Sequence, residues 1–351
     1  MVPFAGYDMP VQYPGGIIAE HKHTRRRAGL FDVSHMGQAR LAGADAARAL
    51  ESLVPSDVLG LPIGRQRYSY FTNDAGGILD DLMIANLGAE LHLVVNAGCK
   101  VEDYALLHSR IGERCGIRVL EDFALLALQG PEAAGVLARF APELAELKFM
   151  SLAQATIDGT RCLVSRSGYT GEDGYEVSVV AAEAERLARL LLAQEGVAPI
   201  GLGARDSLRL EAGLCLYGHD LDAKTTPVEA GIEWAIQKVR RAGGARAGGF
   251  PGADPILRQL AEGCGRRRVG FRPEGRAPVR EGSMLTDAAG NAAGRVTSGG
   301  FGASVDVPIG MAYVAAGSAA PGTVLSTLVR GKPRSCVVSE LPFVPQRYYR
   351  G

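Results

Sequence analysis

Gly76-Gly77-Ile78-Leu79-Asp80-Asp81-Leu82-Met83-Ile84 sets two adjacent carboxylates inside an apolar, strand-compatible run. An unpaired charge among apolar side chains is costly, so these acids must be solvated, paired or put to use. Successive residues of a strand point to opposite faces, so one Asp faces inward while the other faces solvent or a neighbouring segment. Only one of them should be chemically interesting, and the local pattern does not say which. Working outward, residues 68–72 and 78–85 flank Asn73-Asp74-Ala75-Gly76-Gly77, which has hairpin turn chemistry, and residues 91–96 add a third strand to an antiparallel meander.

Around this meander the pattern alternates between helices and strands. Residues 21–28, 44–53, 100–111, 131–140, 181–194 and 201–213 are helix-compatible, whereas 30–37, 117–128, 161–165 and 175–179 read as extended. Helices interleaved with antiparallel strands predict an α+β fold rather than a doubly wound parallel sheet. The stretch Ala242-Gly243-Gly244-Ala245-Arg246-Ala247-Gly248-Gly249 is flexible in composition and predicts a loop or linker near a domain boundary. Beyond Arg266, short apolar runs separated by Gly and Pro predict a small all-β domain.

Composition narrows the function classes. A chain of 351 residues exceeds one ordinary core. Its 38 Lys and Arg balance 38 Asp and Glu, so no global field favours nucleic acid or an anionic membrane. No apolar run approaches the length of a membrane span. The cysteines Cys99, Cys115, Cys162, Cys215, Cys264 and Cys336 show neither C-x-x-C spacing nor a Cys-His grouping. They predict free thiols in a reducing compartment and no metal site. The N-terminus has no secretory or transit-peptide pattern, which predicts a cytoplasmic protein, although a processed organellar form would look the same.

Three local motifs carry chemistry, each beside a plainer reading. Glu176 follows Gly168-Tyr169-Thr170-Gly171-Glu172-Asp173-Gly174-Tyr175 and has the geometry to accept two parallel N–H bonds from a guanidine-like ligand edge, or to be a solvated strand Glu. Arg205 and Arg209 lie one helical turn apart and either grip oxygen atoms of a ligand or pair with Asp206 and Glu211. Asp32, Ser34 and His35 contain the parts of a hydrolase triad, but Ser34 and His35 would diverge on a strand and no nucleophile elbow is present. Trp234, the only Trp, suits a wall for a ring-shaped ligand or a core position.

Phe31-Asp32-Val33-Ser34-His35-Met36, Gly76 through Leu82, Leu128-Gln129-Gly130-Pro131, Gly168 through Glu176, Ala204 through Gly213 and Val296-Thr297-Ser298-Gly299 together resemble the aminomethyltransferase family, the T-proteins of the glycine cleavage system. The likeness covers essentially the full chain. It implies a three-domain, cloverleaf-like arrangement around a central folate cavity. Residues 1–240 would form two intertwined α+β domains, approximately 1–35 with 120–240 and 36–119. A linker and short helix would occupy 241–265, and 266–351 a jelly-roll-like β-barrel domain. Family members usually carry a further N-terminal stretch ahead of the segment matching Met1–Gly6, and this chain departs from that pattern.

The resemblance also implies the chemistry. The methylene carbon of an aminomethyl group, carried on the dihydrolipoyl arm of the H-protein, passes to tetrahydrofolate, giving 5,10-methylenetetrahydrofolate, ammonia and dihydrolipoyl H-protein. P-protein and L-protein complete the system, and the enzyme itself would be a monomer with no metal, no nucleic-acid partner and no membrane. A bacterial source implies the cytoplasm and a eukaryotic source the mitochondrial matrix. Asp81 matches the catalytic carboxylate and Asp80 its non-catalytic neighbour. Glu176 matches the acid that binds the pterin edge, Arg205 a folate-contacting guanidinium and Tyr348 a ligand contact in the tail. Met36, Tyr68, Asn96 and Trp234 match positions lining the folate cavity. The alternatives are a sarcosine or dimethylglycine demethylase component, which usually carries a flavin domain, and a non-catalytic folate-binding protein, whose Lys-Gly-Cys-like motif is not found here.

Overall fold

The computed structural model describes residues Met1–Gly351 and divides into two compact units. The first comprises Met1–Ser69, Asp81–Arg205 and Arg347–Gly351; the second comprises Tyr70–Asp80 and Asp206–Gln346. No helix is long and apolar enough to cross a membrane.

In chain order the elements are β1 (Val2–Phe4), β2 (Tyr7–Met9), α1 (Ile17–Arg26), β3 (Ala28–Asp32), β4 (Gly37–Ala42), α2 (Ala46–Glu51), β5 (Gln66–Thr72), β6 (Ile78–Asn86) and β7 (Glu90–Val95). There follow α3 (Lys100–Ile111), β8 (Gly116–Val119), β9 (Phe123–Gln129), α4 (Ala133–Leu137), β10 (Ser151–Ile157), β11 (Thr160–Arg166), β12 (Gly174–Val180), α5 (Ala181–Leu192), β13 (Val197–Pro199) and α6 (Leu202–Glu211). The remainder are α7 (Pro227–Ala230), α8 (Ala253–Glu262), β14 (Arg266–Pro273), β15 (Met284–Thr286), β16 (Ala292–Gly302), β17 (Val307–Ala315), β18 (Val324–Val329) and β19 (Lys332–Ser339).

The predicted meander forms as β5-β6-β7 and is extended by β4 and β8 into a five-stranded sheet. Its hairpin closes where Asn73 Oδ1 accepts from the Ala75 and Gly77 amides and Gly76 adopts a left-handed φ of 83°. A six-stranded sheet, ordered β10-β11-β12-β9-β3-β13, is antiparallel except for the β13–β3 pair. One of its faces packs Leu126, Leu128, Val164, Tyr175, Val177 and Val179 against α4 and α5 through Val136, Leu137, Leu187 and Leu191. Burial of this apolar area, at roughly 25 cal/mol per Å², is the main force ordering the layer. The other face carries Glu176 and turns toward the five-stranded sheet: Gln38 of β4 accepts from Ser178 of β12 and donates to the Ala124 carbonyl of β9.

Two sequence expectations change. Residues 30–37 are not one extended segment, because Asp32 Oδ1 accepts from the Ser34 amide and the Met36 amide reaches the Val33 carbonyl, making a turn between β3 and β4. Residues 117–128 are likewise two strands. Residues 242–249 form a loop, one of the two readings that the composition allowed, and it is tied in place. The guanidinium of Arg240, only 4% exposed, donates to the Arg246 carbonyl at 2.9 Å, and the Gly244 and Gly248 amides reach the Arg241 and Arg240 carbonyls.

In the second unit, β14-β17-β16-β15-β18-β19 close into a six-stranded barrel filled by Phe271, Leu285, Val296, Ala312, Leu325 and Val338. Closure leaves no free sheet edge. Beside it, Asp220 is 1% exposed and accepts from Arg209 Nη1 (2.6 Å), the Thr297 and Ser298 hydroxyls and the Leu216 amide, while its carbonyl receives the Tyr313 hydroxyl.

Candidate functional site

The alternation of β6 separates the two acids of the doublet. Asp80 is fully buried, whereas Asp81 is half-buried and faces the other way. The register pairs Leu82 with Val95 and Met83 with Val94, which sets Asp81 opposite Asn96. Asn96 Nδ2 donates to Asp81 Oδ1 at 2.8 Å and to the Asp81 carbonyl at 3.1 Å. One amide therefore fixes both the side chain and the backbone of this residue. The charge-assisted bond defines the carboxylate's orientation.

Asp81, Met83, Val94 and Asn96 share one face of the sheet, and Val94 borders a small cavity together with Glu176. Asp81 and Glu176 thus belong to facing layers and project into the same inter-sheet space. Tyr68, two residues beyond the cavity-lining Gln66 on β5, belongs to that face as well.

On β12, Glu176 pairs laterally with Ser165 and Ala127. Its Oε2 accepts from the Ser167 hydroxyl at 3.2 Å. Burial raises its pKa, and the attraction of Arg205 with the Ser167 bond offsets only part of that. Arg205 enters from the first turn of α6, with its guanidinium 4.7 Å from the Tyr169 ring centroid. Burial lowers its pKa against the opposing pull of Tyr169 and Glu176.

Arg205 also acts on His35, whose pKa falls to about 4, chiefly through burial, then through Arg205, with Asp32 opposing. His35 is 3% exposed and its Nδ1 has no hydrogen-bond partner. Phe4 meets its ring edge to face at 5.5 Å, and Lys100 donates to its carbonyl and to the Tyr7 hydroxyl. The turn aims these groups apart from Ser34, whose hydroxyl bonds the Leu125 carbonyl and amide, so no hydrolytic triad assembles.

The sequence-predicted set divides accordingly. Asp81, Asn96, Glu176, Arg205 and Tyr68 come together in the first unit. Met36 is half-buried in the turn before β4. Tyr348 stacks on Phe149, with centroids 3.9 Å apart and planes within 6°, and burial pushes its pKa to about 12. Trp234 belongs to the second unit and is 61% exposed, so the core alternative fails. Arg209 does not join Arg205 in gripping a ligand; Asp206 and Asp220 occupy its guanidinium.

Sequence reasoning missed Ser167, Tyr169 and His92. A signal existed for each: the first two adjoin the glycines of 168–174, and His92 is a lone imidazole in the apolar strand Leu91-His92-Leu93-Val94-Val95. No group of three or more His, Cys, Asp and Glu side chains is arranged to hold a metal ion.

Comparison with known proteins agrees along the whole chain. Residues 1–240 match the family described as GCVT N-terminal domain, and 266–345 the glycine cleavage T-protein C-terminal barrel domain. The mitochondrial aminomethyltransferase of Dictyostelium discoideum is 46% identical, with 99% of this chain and 90% of that protein covered. The mitochondrial aminomethyltransferase of Homo sapiens is 47% identical over 99% of this chain and 87% of its own length. The crystal structure of glycine cleavage system aminomethyltransferase T from Bartonella henselae superposes with a TM-score of 0.93 at 46% identity, covering 99% of this chain and 95% of that one.

Proposed function

The chain belongs to the T-protein family of aminomethyltransferases, and from that premise we propose that it takes aminomethyl-dihydrolipoyl H-protein and tetrahydrofolate as its substrates, with Asp81 and Glu176 as the two acids that manage the folate. The observation carrying this reading is that Glu176 keeps a single hydroxyl partner in a buried setting and faces the same inter-sheet space as Asp81.

A buried carboxylate with open acceptor sites suits an edge presenting two parallel N–H donors, as the 2-amino-4-oxo side of a pterin does. Ser167 and Arg205 hold Glu176 in place for that edge. Tyr68 and Tyr348 offer aromatic surface and Met36 an apolar contact. Asp81, clamped by Asn96, then faces the reacting nitrogens. Its carboxylate stabilises positive charge that develops there and carries away a proton. In the overall transfer the carbon loses its bonds to sulfur and to the amine and gains two bonds to folate nitrogens. The two N–H protons displaced leave on the thiol and on ammonia. The proposed setting is wherever the lipoyl carrier resides, bacterial cytoplasm or mitochondrial matrix; the curated relatives named above are mitochondrial.

Ammonia release from aminomethyl-loaded H-protein with tetrahydrofolate tests the assignment. Asp81→Asn should lower kcat by about 100- to 10,000-fold, the usual contribution of a positioned proton-transfer group, with an unchanged circular dichroism spectrum. Asp80→Asn should keep kcat and lose stability, since that side chain is fully buried. Wild-type turnover in Asp81→Asn would remove the residue from its role, and no folate-dependent turnover in the native chain would remove the function.

A further inference from the structure

The cavity bordered by Glu176 has a second polar wall on the opposite sheet. Gln66, His92, Ser165 and Ser178 line it beside Glu176, and the rest of the lining is apolar, Val94 included. Gln66, His92 and Ser178 are 6%, 5% and 3% exposed. The cavity measures about 20 Å³, room for one water on the usual scale of about 10 to 15 Å³ for a single site.

The His92 tautomer is fixed from behind. Arg40 Nε, which can only donate, lies 3.1 Å from His92 Nδ1, and Arg40 Nη1 is itself held by Glu90 at 3.0 Å. Nδ1 is therefore the acceptor and the ring proton resides on Nε2. Burial and Arg40 hold the His92 pKa near 3, so this neutral tautomer persists at physiological pH. Its Nε2–H makes no hydrogen bond to protein. Across the cavity, Glu176 has the Ser167 hydroxyl as its protein donor, and Gln66 has a 4.0 Å contact from its Nε2 to the Met150 sulfur, leaving its amide oxygen to accept.

We propose that a buried water occupies this cavity, accepting from His92 Nε2–H and donating to the Glu176 carboxylate and the Gln66 amide oxygen, and that His92 acts through it as a positioning residue for folate binding. Three bonds match what a buried water ordinarily makes. The relay Glu90–Arg40–His92–water supplies Glu176 with a second hydrogen bond to its ionised form, which counters the cost of burial. The groups acting on Glu176 are then Ser167 from the loop after β11, Arg205 from α6 and His92 from β7. This inference rests on the Glu176 assignment above, and its test separates the two.

Calorimetric titration of the full chain with 5-formyltetrahydrofolate, a stable reduced folate, from pH 5.5 to 8, compares wild type with Glu176→Gln, His92→Phe and His92→Gln. His92→Phe should bind about 5- to 10-fold more weakly at pH 7, with the pH midpoint of binding moved upward and KM for tetrahydrofolate raised at unchanged kcat. These magnitudes follow from the loss of one ordinary hydrogen bond, here made through a water. His92→Gln, which keeps an N–H donor, should recover most of the affinity. Weak binding by Glu176→Gln with a wild-type profile for His92→Phe overturns the relay but keeps the Glu176 role. Unchanged binding by Glu176→Gln overturns that role. A crystal structure of the wild-type chain supplies a test independent of variant folding. Density for a water within 3.2 Å of both His92 Nε2 and a Glu176 oxygen supports the relay, and a dry cavity overturns it.

Discussion

Glu172 and Glu176 lie four residues apart in one glycine-rich stretch, and their surroundings are opposite. Glu172 is 1% exposed, and its Oε1 receives Arg25 at 2.9 Å and Arg347, while its amide is capped by Thr170. Its neighbour Asp173 is clamped by Arg166 through two nitrogens. Glu176 has one hydroxyl and a guanidinium acting at a distance. Asp220 is likewise answered on both carboxylate oxygens, by Arg209, the Thr297 and Ser298 hydroxyls and the Leu216 amide. Carboxylates that build the fold are each held by at least two charged donor contacts or a set of hydroxyl and amide donors. Glu176, which is available to a ligand, is oriented by one hydroxyl and left with capacity.

The sharpest way to break this contrast is at the saturated acid. Glu172→Ala strands the buried Arg25 charge, and removing one partner of a buried ion pair costs about 3 to 5 kcal/mol. Urea denaturation should show that loss, with folate affinity per folded molecule little changed. Equal stability would mean that saturation does not mark a structural role. Glu176→Gln should do the reverse, with affinity for a reduced folate falling about 10- to 100-fold and no loss of stability, because a carboxylate whose pKa burial has raised is itself a strained group. Folate binding by wild type should also weaken on acidification, beginning at a higher pH than for an exposed Glu, since only the ionised form accepts both N–H bonds.

Two histidines set a third expectation. The folded pKa values of His35, about 4, and His92, about 3, lie below the ordinary 6.5, so the unfolded chain gains protons first as pH falls. Stability is therefore intact above pH 6.5 and declines below it until each folded pKa is reached. By pH 5 the loss amounts to about 2 kcal/mol per histidine. Melting curves should show this slope, and His92→Gln should flatten part of it; an unchanged slope would mean that His92 does not stay neutral. The smallest effect is expected for Ser167→Ala, which removes one neutral donor. A few-fold loss of affinity, about 1 kcal/mol, should accompany a further upward shift of the binding midpoint, and no shift would remove Ser167 from the description.

Much of the fold was legible because its signals are local. Asn73 and Gly76 announce the hairpin, and α3 runs from Lys100 to Ile111 as its periodicity requires. Where the reading failed, a side-chain bond overrode the pattern. Asp32 bends the chain after β3, where the pattern reads as one extended segment. The site divides similarly. Alternation could say that Asp80 and Asp81 differ, and the family likeness selected Asp81. The partners that distinguish Glu172 from Glu176 were beyond reach, because Arg25 and Arg347 lie 147 and 175 residues away in sequence from Glu172. The His92–Arg40 contact likewise depends on strands that are not consecutive in the chain.

The C-terminal strap has a consequence for biosynthesis. Arg347 pairs with Glu172 in a parallel bridge, the Phe149 amide bonds the Tyr349 carbonyl, and Tyr348 stacks on Phe149, so residues 347–350 complete a unit whose other parts end at Arg205. During translation the Gly168–Glu176 loop must wait for the ribosome to deliver residues 206–346 before its last clamp arrives. Nascent chains stalled anywhere in that interval should expose this loop to protease, and emergence of residues 347–350 should close it.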